Sequence, residues 1–346
     1  MICIQNQAFL RGTVMLKWTK KIGLGLICLM AVLLLSGAAY QFISTKIDEG
    51  AYPPPGKLVD LGGYRLHINC SGEGGPTVVF DAGMGCNSLD WALVQPEVAK
   101  FTRVCSYDRA GNGWSDESPL ERTSQNIVDE LHALLKNSGE KGPYILVGHS
   151  FGGPNVLLYA SKYPDEVSGV VLVDSSHEDQ LQEMPDWPQS FFEKLLTHPN
   201  VAPFLTSIGL TRILNHLPQS QEHVKAFPLD IQQTYLATMS TTKYIRTVTQ
   251  EHEKFEQSLK QLKNAGGRLG NKPLIVITAG KSLSSEDTGY PKEFTDKLAN
   301  LWEAHQKDLV TKSTKGKRII AEHSGHMIPH EQPEIIIEAI REVIAK

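Results

Sequence analysis

Tyr144-Ile145-Leu146-Val147-Gly148-His149-Ser150-Phe151-Gly152-Gly153 decides how the rest of the chain is read. Its first four residues form an apolar run of the kind found in a strand buried on both faces. The run enters the pattern G-x-S-x-G, and Val156, Leu157 and Ala160 then continue as a helix. A serine on a sharp strand-to-helix turn projects above the sheet edge with its hydroxyl exposed to a substrate. The turn strains the backbone and needs small neighbours for close approach, which Gly148, Gly152 and Gly153 supply. The plain alternative is a glycine-rich turn that only opens a helix.

Outward from this turn the pattern repeats. Residues 58–61 and 64–68 read as two strands joined at Gly62-Gly63. Further strands are expected at 77–80, 103–107, 170–173, 274–277 and 318–321. Ile127, Leu131, Leu134 and Leu135 mark one helical face, and Ile336, Ile340, Val343 and Ile344 mark another. Strands alternating with helices predict an α/β fold, a mostly parallel central sheet with helices on both faces. Residues 177–270 show helical patterns and no convincing strand, so a helical cap is expected there, inserted after the sixth strand. Phe191, Phe192, Leu195 and Leu196 cluster in it, and so do Phe204, Leu205, Ile208, Leu210, Ile213, Leu214 and Leu217. Most of these pack against each other; a few are expected to roof an apolar pocket.

The composition is that of an ordinary globular chain: 346 residues, 41% apolar, 21% charged, net charge -4. That balance gives no basic face, so a nucleic-acid partner is not expected. Five cysteines with no CxxC pair exclude a disulfide scaffold and argue against a thiolate zinc site.

The N-terminus reads as a membrane address. Residues 22–40 contain no charge, and nine of the nineteen are Ile, Leu or Val. Arg11, Lys17, Lys20 and Lys21 precede them, while Lys46 is balanced by Asp48 and Glu49 on the other side. The expectation is a cytoplasmic basic segment at 1–21, a single transmembrane anchor at 22–42, a linker at 43–56 ending in Pro53-Pro54-Pro55-Gly56, and a domain at 57–346 outside the membrane. A cleaved signal peptide is the rival, because Ser36-Gly37-Ala38-Ala39 offers small residues to a peptidase. Either way Cys70, Cys86 and Cys105 would meet an oxidising compartment, where three thiols cannot all pair internally.

A serine hydroxyl needs a base to take its proton and a third group to orient that base. His326, in Ser324-Gly325-His326 between the last strand and the last helix, is the candidate base. His323 and His330 lie nearby, but no acidic or thiolate pattern makes a metal site of the three, so no metal is assigned.

These residues together resemble the α/β-hydrolase fold superfamily, and the likeness covers nearly all of residues 57–346. It is carried by the 148–153 turn, which looks like the nucleophile elbow, and by Tyr107-Asp108-Arg109-Ala110-Gly111-Asn112-Gly113-Trp114-Ser115-Asp116, similar to the loop after the family's fourth strand. Ser324-Gly325-His326 with Glu331-Gln332-Pro333-Glu334 resembles its histidine loop. The resemblance implies an oxyanion hole built from two backbone N–H groups. One is that of Phe151; the other, in Ala82-Gly83-Met84-Gly85, matches Met84. The family commonly has His-Gly before that second donor, and this chain lacks the histidine. The triad acid is left between two places. Asp174 follows the 170–173 strand, as in some members. Glu286 and Asp287 come after the 274–277 strand, near the usual place, where Leu283 stands at the expected position.

The expected chemistry is serine hydrolysis of carboxylic esters through an acyl-enzyme, with an apolar acyl substrate and no cofactor. Ser150 separates the chain from epoxide hydrolase and haloalkane dehalogenase relatives, whose resemblance would require Asp at the elbow. Hydrolysis of lactones, thioesters, amides or C–C bonds, and perhydrolysis, stay open, as does a non-catalytic binding protein on the same scaffold. Asp108 and Arg109 are expected to hold their loop, His149 to pack against the elbow, and Cys86 to lie near the pocket mouth.

Overall fold

The computed structural model describes residues 2–184, 198–217, 221, 224–282 and 284–346, without the side chains of residues 2–17 and 287. Phe191, Phe192, Leu195 and Leu196 of the expected cap lie outside the described residues.

Eight strands form one sheet: β1 (Lys57–Asp60), β2 (Arg65–Ser71), β3 (Thr77–Asp81), β4 (Val104–Tyr107), β5 (Tyr144–His149), β6 (Val167–Val173), β7 (Leu274–Ala279) and β8 (Gly316–Ala321). Their order is β1-β2-β4-β3-β5-β6-β7-β8. The β1–β2 and β2–β4 pairs are antiparallel and the remaining pairs parallel. The apolar runs follow from burial on both faces. Val79, Leu146, Val170, Leu172 and Val276 enter one core cluster, while Val78, Phe80, Ile145, Val147, Val171 and Ile277 enter the other. Adjacent strand residues point to opposite faces, so a strand covered on both sides has no polar alternation.

The first face is covered by α2 (Ser124–Ser138) and α3 (Gly152–Lys162), whose Val128, Leu131, Leu135, Val156 and Leu157 join the first cluster. The second is covered by α11 (Pro333–Ile344) through Ile336, Ile340 and Val343. Between β6 and β7 the described residues form no strand. They hold α4 (Val201–Ser207), α5 (Leu210–Asn215), α6 (Leu229–Met239), α7 (Thr242–Glu253) and α8 (Phe255–Ala265). After β7 comes α9 (Lys292–Val310), and α10 (Ile328–Glu331) precedes α11.

The N-terminal segment differs from the expectation. One helix, α1, runs from Ile2 to Ala51, so residues 43–51 are helical rather than linker. No proline interrupts the chain before Pro53, and the helix stops where Pro53-Pro54-Pro55 begins. The polar residues in that stretch have partners. Gln41 Nε2 donates to the Ser240 carbonyl at 2.7 Å, and Asp48 pairs with the buried Arg212. Residues 18–51 are long and apolar enough to cross a membrane. Cys70 and Cys105, opposite each other on β2 and β4, form a disulfide; Cys86 is unpaired.

Candidate active site

Ser150 follows β5 with φ of 51°, in the left-handed region that side chains avoid. Hydrogen bonds hold it there. Its N–H donates to the Val173 carbonyl at 3.1 Å, and its carbonyl accepts from the N–H groups of Gly153 at 3.0 Å and Ser176 at 3.1 Å. A Cβ on Gly152 would fall 2.2 Å from the Asp81 carbonyl oxygen, so only glycine fits where α3 crosses the end of β3. Strain held this firmly, on a turn between strand and helix, presents the serine above the sheet.

Asp174 follows β6 and is also in the left-handed region, at φ 41°. Its carboxylate accepts three hydrogen bonds. His326 Nδ1–H donates to Oδ2 at 2.6 Å, while Ala279 N–H at 3.0 Å and Trp302 Nε1–H at 2.9 Å donate to Oδ1. Burial opposes its ionisation, but the hydrogen bond and charge of His326, with the two N–H donors, outweigh burial and hold its pKa below the ordinary value. Glu286 is exposed on a short turn at Ser285–Thr288, and the side chain of Asp287 is outside the described residues. Trp302, on α9, was not singled out in the sequence. Nothing in its neighbourhood marks it, since its partner lies 128 positions away.

His326 is held by its own loop. Gly325 N–H donates to Glu331 at 2.9 Å and His323 N–H to the Gln332 side chain at 2.8 Å, which gives the Glu331-Gln332 pair its structural part. The three neighbouring histidines diverge: His330 is buried against Asp90 at 3.0 Å and His323 is exposed. His149, beside the serine, donates from Nε2 to the His326 carbonyl at 2.9 Å, and the two rings lie 4.9 Å apart. Burial, then repulsion from His326, lowers the His149 pKa, so it stays neutral and keeps this arrangement. The elbow and the histidine loop are thereby joined. Among the described residues no hydrogen bond links the Ser150 hydroxyl to the imidazole. A cavity of about 560 Å³ borders the imidazole–carboxylate pair, with Met184, Leu298, Ala299 and Trp302 in its wall.

The loop after β3 faces the serine: a Cβ on Gly83 would lie 3.3 Å from Ser150 Cβ. Its carbonyls are turned away and tied down. Arg109 donates to the Ala82 carbonyl at 2.6 Å and the Gly83 carbonyl at 2.6 Å, and Tyr244 O–H to that of Gly85 at 2.8 Å. Among the described residues the N–H groups of Met84 and Phe151 have no protein acceptor. Arg109 is itself buried between Asp81 and Glu251, at 2.7 and 2.8 Å. Burial disfavours its charge, but Glu251 and Asp81 outweigh that and raise its pKa well above the ordinary value. Glu251 belongs to α7, so this ion cluster fastens cap and loop together. Arg109→Leu is expected to cost roughly 3–5 kcal/mol, because it strands two buried carboxylates. Chemical denaturation measures it, and a loss below about 1 kcal/mol, the scale of an exposed pair, contradicts the reading. Asp108 accepts from Ser88 N–H, Trp114 N–H and His67 Nδ1–H, which shapes the turn after β4.

A family model described as alpha/beta hydrolase fold matches residues 75–333. The chain belongs to the α/β-hydrolase fold family. It is similar to the uncharacterized protein YqjL of Bacillus subtilis (strain 168), 27% identical over 290 residues that span 83% of this chain and 91% of that protein. The chain spans less than half the length of several further curated relatives. Among solved α/β structures, the epoxide hydrolase CorEH superposes with a TM-score of 0.63 at 17% identity, over 84% of this chain and 98% of that one. A variant of the N-formylmaleamic acid deformylase of Pseudomonas putida gives 0.55 at 17% identity, over 82% and 99%. At these identities the likeness is one of fold. Within the α/β-hydrolase frame, Ser150, Asp174 and His326 follow β5, β6 and β8, three strands on one side of the sheet.

Proposed function

We propose that this α/β-hydrolase domain is a serine hydrolase of carboxylic esters. The observation that carries the reading is the 2.6 Å hydrogen bond between His326 Nδ1 and Asp174. It fixes the proton on Nδ1 and leaves the Nε2 lone pair as the base.

In the proposed reaction Ser150 Oγ attacks the ester carbonyl while Nε2 of His326 takes its proton. The carbonyl oxygen becomes an anion, which the N–H groups of Met84 and Phe151 receive. The intermediate collapses, the C–O bond to the alcohol breaks, and the imidazolium returns its proton to the leaving oxygen. Water, deprotonated by the same nitrogen, then attacks the acyl-enzyme and releases the acid. Asp174 stabilises the imidazolium in both halves. The apolar residues of the cap are the ground for proposing an acyl or aromatic part, while the cavity beside His326 mixes Met184, Leu298 and Trp302 with Lys281, Glu303 and Glu331.

A fluorophosphonate probe tests the reading: the folded protein should be labelled, and Ser150→Ala should not. Folded protein that stays unlabelled favours a binding protein on the same scaffold. A hydrolysis panel over acyl chain lengths then separates esters from other acyl substrates. Trp302→Phe removes one donor from the ionised carboxylate, a bond worth about 1.5–3 kcal/mol. Turnover is expected to fall roughly 10–100-fold with KM little changed, measured by steady-state kinetics.

The same proposal places residues 22–42 in a membrane, with the N-terminus cytoplasmic and the domain outside. The four cations before the span support that direction, and the Cys70–Cys105 disulfide suits an oxidising compartment. The full chain should stay with membranes in alkaline carbonate, and a chain lacking residues 1–46 should be extracted. That truncation also strips Gln41 and Thr45 from Arg212, so its melting temperature should fall. Extraction of the full chain under those conditions contradicts the anchor.

A further inference from the structure

We propose that the α4–α5 hairpin of the cap is embedded in the membrane leaflet on the domain's side, against the anchor helix. The inference rests on the anchor reading and adds a second contact with lipid.

The cap meets α1 below the end of the expected span. A Cβ on Gly37 would lie 2.5 Å from the Ile208 carbonyl oxygen, and one on Gly209 would lie 2.7 Å from the Tyr40 ring. The α4–α5 turn is therefore seated directly on residues 37–40. Residues 22–42 span roughly 31 Å at 1.5 Å per residue, close to the thickness of the hydrocarbon layer. Gly37 is then about 7.5 Å below its upper end. A bilayer that accommodates the anchor must also reach Ile208, and that depth is typical of helices lying in the interface.

The hairpin is chemically suited to that position. From 198 to 217 Arg212 is the one residue among Asp, Glu, Lys and Arg. It is buried and turned inward to Asp48, Gln41 and Thr45 of α1. Phe204, Ile213, Leu214 and Leu217 face outward, 52%, 53%, 39% and 46% exposed. The hydroxyls and Asn215 are bonded within the protein, while His198, Asn200 and His216 are exposed at the two ends of the segment. Thr206 donates to the Ala202 carbonyl and shares a hydrogen bond with Thr211, Ser207 donates to the Phe204 carbonyl, and Asn215 donates to Ser240. The turn backbone is closed as well, with Ile208 N–H on Phe204 and Gly209 N–H on Thr206. Lipid tolerates hydroxyls bonded within the protein, and the uncapped N–H groups that open α5 suit the interfacial depth, where water still reaches. On a face wetted by water, four large apolar side chains together would be an unexplained cost.

The test uses the full chain in lipid nanodiscs, with Cys3 and Cys28 replaced by serine. One new cysteine at 29, 204, 213 or 317 carries an NBD fluorophore, and the parent without an added cysteine corrects for Cys86. Lys317 is exposed on β8, at the opposite edge of the sheet from β1. Doxyl-labelled lipids should quench NBD severalfold at 29, 204 and 213 and leave 317 unchanged. Quenching at 29 with 204 and 213 as unaffected as 317 overturns the inference and leaves the anchor standing. No quenching at 29 overturns the anchor reading itself, and the inference with it. Blue-shifted but unquenched emission at 204 and 213 means that protein, a second copy for instance, covers the face, and also overturns it.

Discussion

Ser150→Ala is expected to lower ester turnover by about 10⁵–10⁶, and His326→Ala by a similar factor, because nucleophile and base act as a unit. The substitution deletes one oxygen and should leave the backbone as it is. The φ of 51° at residue 150 is imposed by the bonds from Gly153 and Ser176 and to Val173, all made by backbone atoms. The loss should therefore appear in kcat, with an unchanged melting temperature. The double variant should be no worse than either single one, since each already removes the covalent route. What activity remains would come from binding and from the N–H groups of Met84 and Phe151, which neither change touches. A tenfold loss would show that residue 150 or 326 is misassigned. Burst kinetics with a chromogenic ester provide an independent check: alcohol release equal to the enzyme concentration should precede the steady state and vanish in Ser150→Ala.

The sheet was legible because its strands are buried on both faces, which leaves unbroken apolar runs such as Val170–Val173 that no surface strand would carry. The elbow was legible because its constraints are local. Strand, serine, glycines and helix all lie within about ten residues of one another. Long-range partners were not. The Arg109–Glu251 pair joins residues 142 apart, and the expectation that Arg109 holds its loop does not by itself name Glu251 as a partner. The helix α9 went unremarked since its sequence from Lys292 to Val310 is mostly polar, with its buried residues spread thinly at Thr295, Leu298, His305, Gln306 and Leu309. With it went Trp302. The end of α1 was misread for the opposite reason. Thr45 and Asp48 fall in the expected linker, yet they and Gln41, at the end of the expected span, are buried or paired against Arg212 of the cap. A polar residue in a sequence shows that a partner is required, not whether the partner is water.

Asp174→Asn is expected to cost roughly 10⁴ in turnover. The carboxylate accepts from His326, Ala279 and Trp302 at once. An amide of the same shape has one acceptor oxygen and turns an NH₂ group toward at least one of these donors. If the oxygen stays with Ala279 and Trp302, the NH₂ faces His326 and drives the imidazole to its other tautomer, with the proton on Nε2 where the base should be empty. If the oxygen turns to His326, two N–H groups lose their acceptor in a site that is almost fully buried. Either arrangement should also cost about 1–3 kcal/mol of stability, so the kinetic loss is to be compared with a melting curve of the same sample. Asp174→Glu cannot serve as rescue, because the added methylene would push the carboxylate into an imidazole only 2.6 Å away. The comparison that decides is with Glu286→Gln and Asp287→Asn, which should retain near-normal kcat. A 10⁴-fold loss in one of them, with Asp174→Asn active, would move the acid to the loop after β7 and leave the Asp174–His326 hydrogen bond a structural contact.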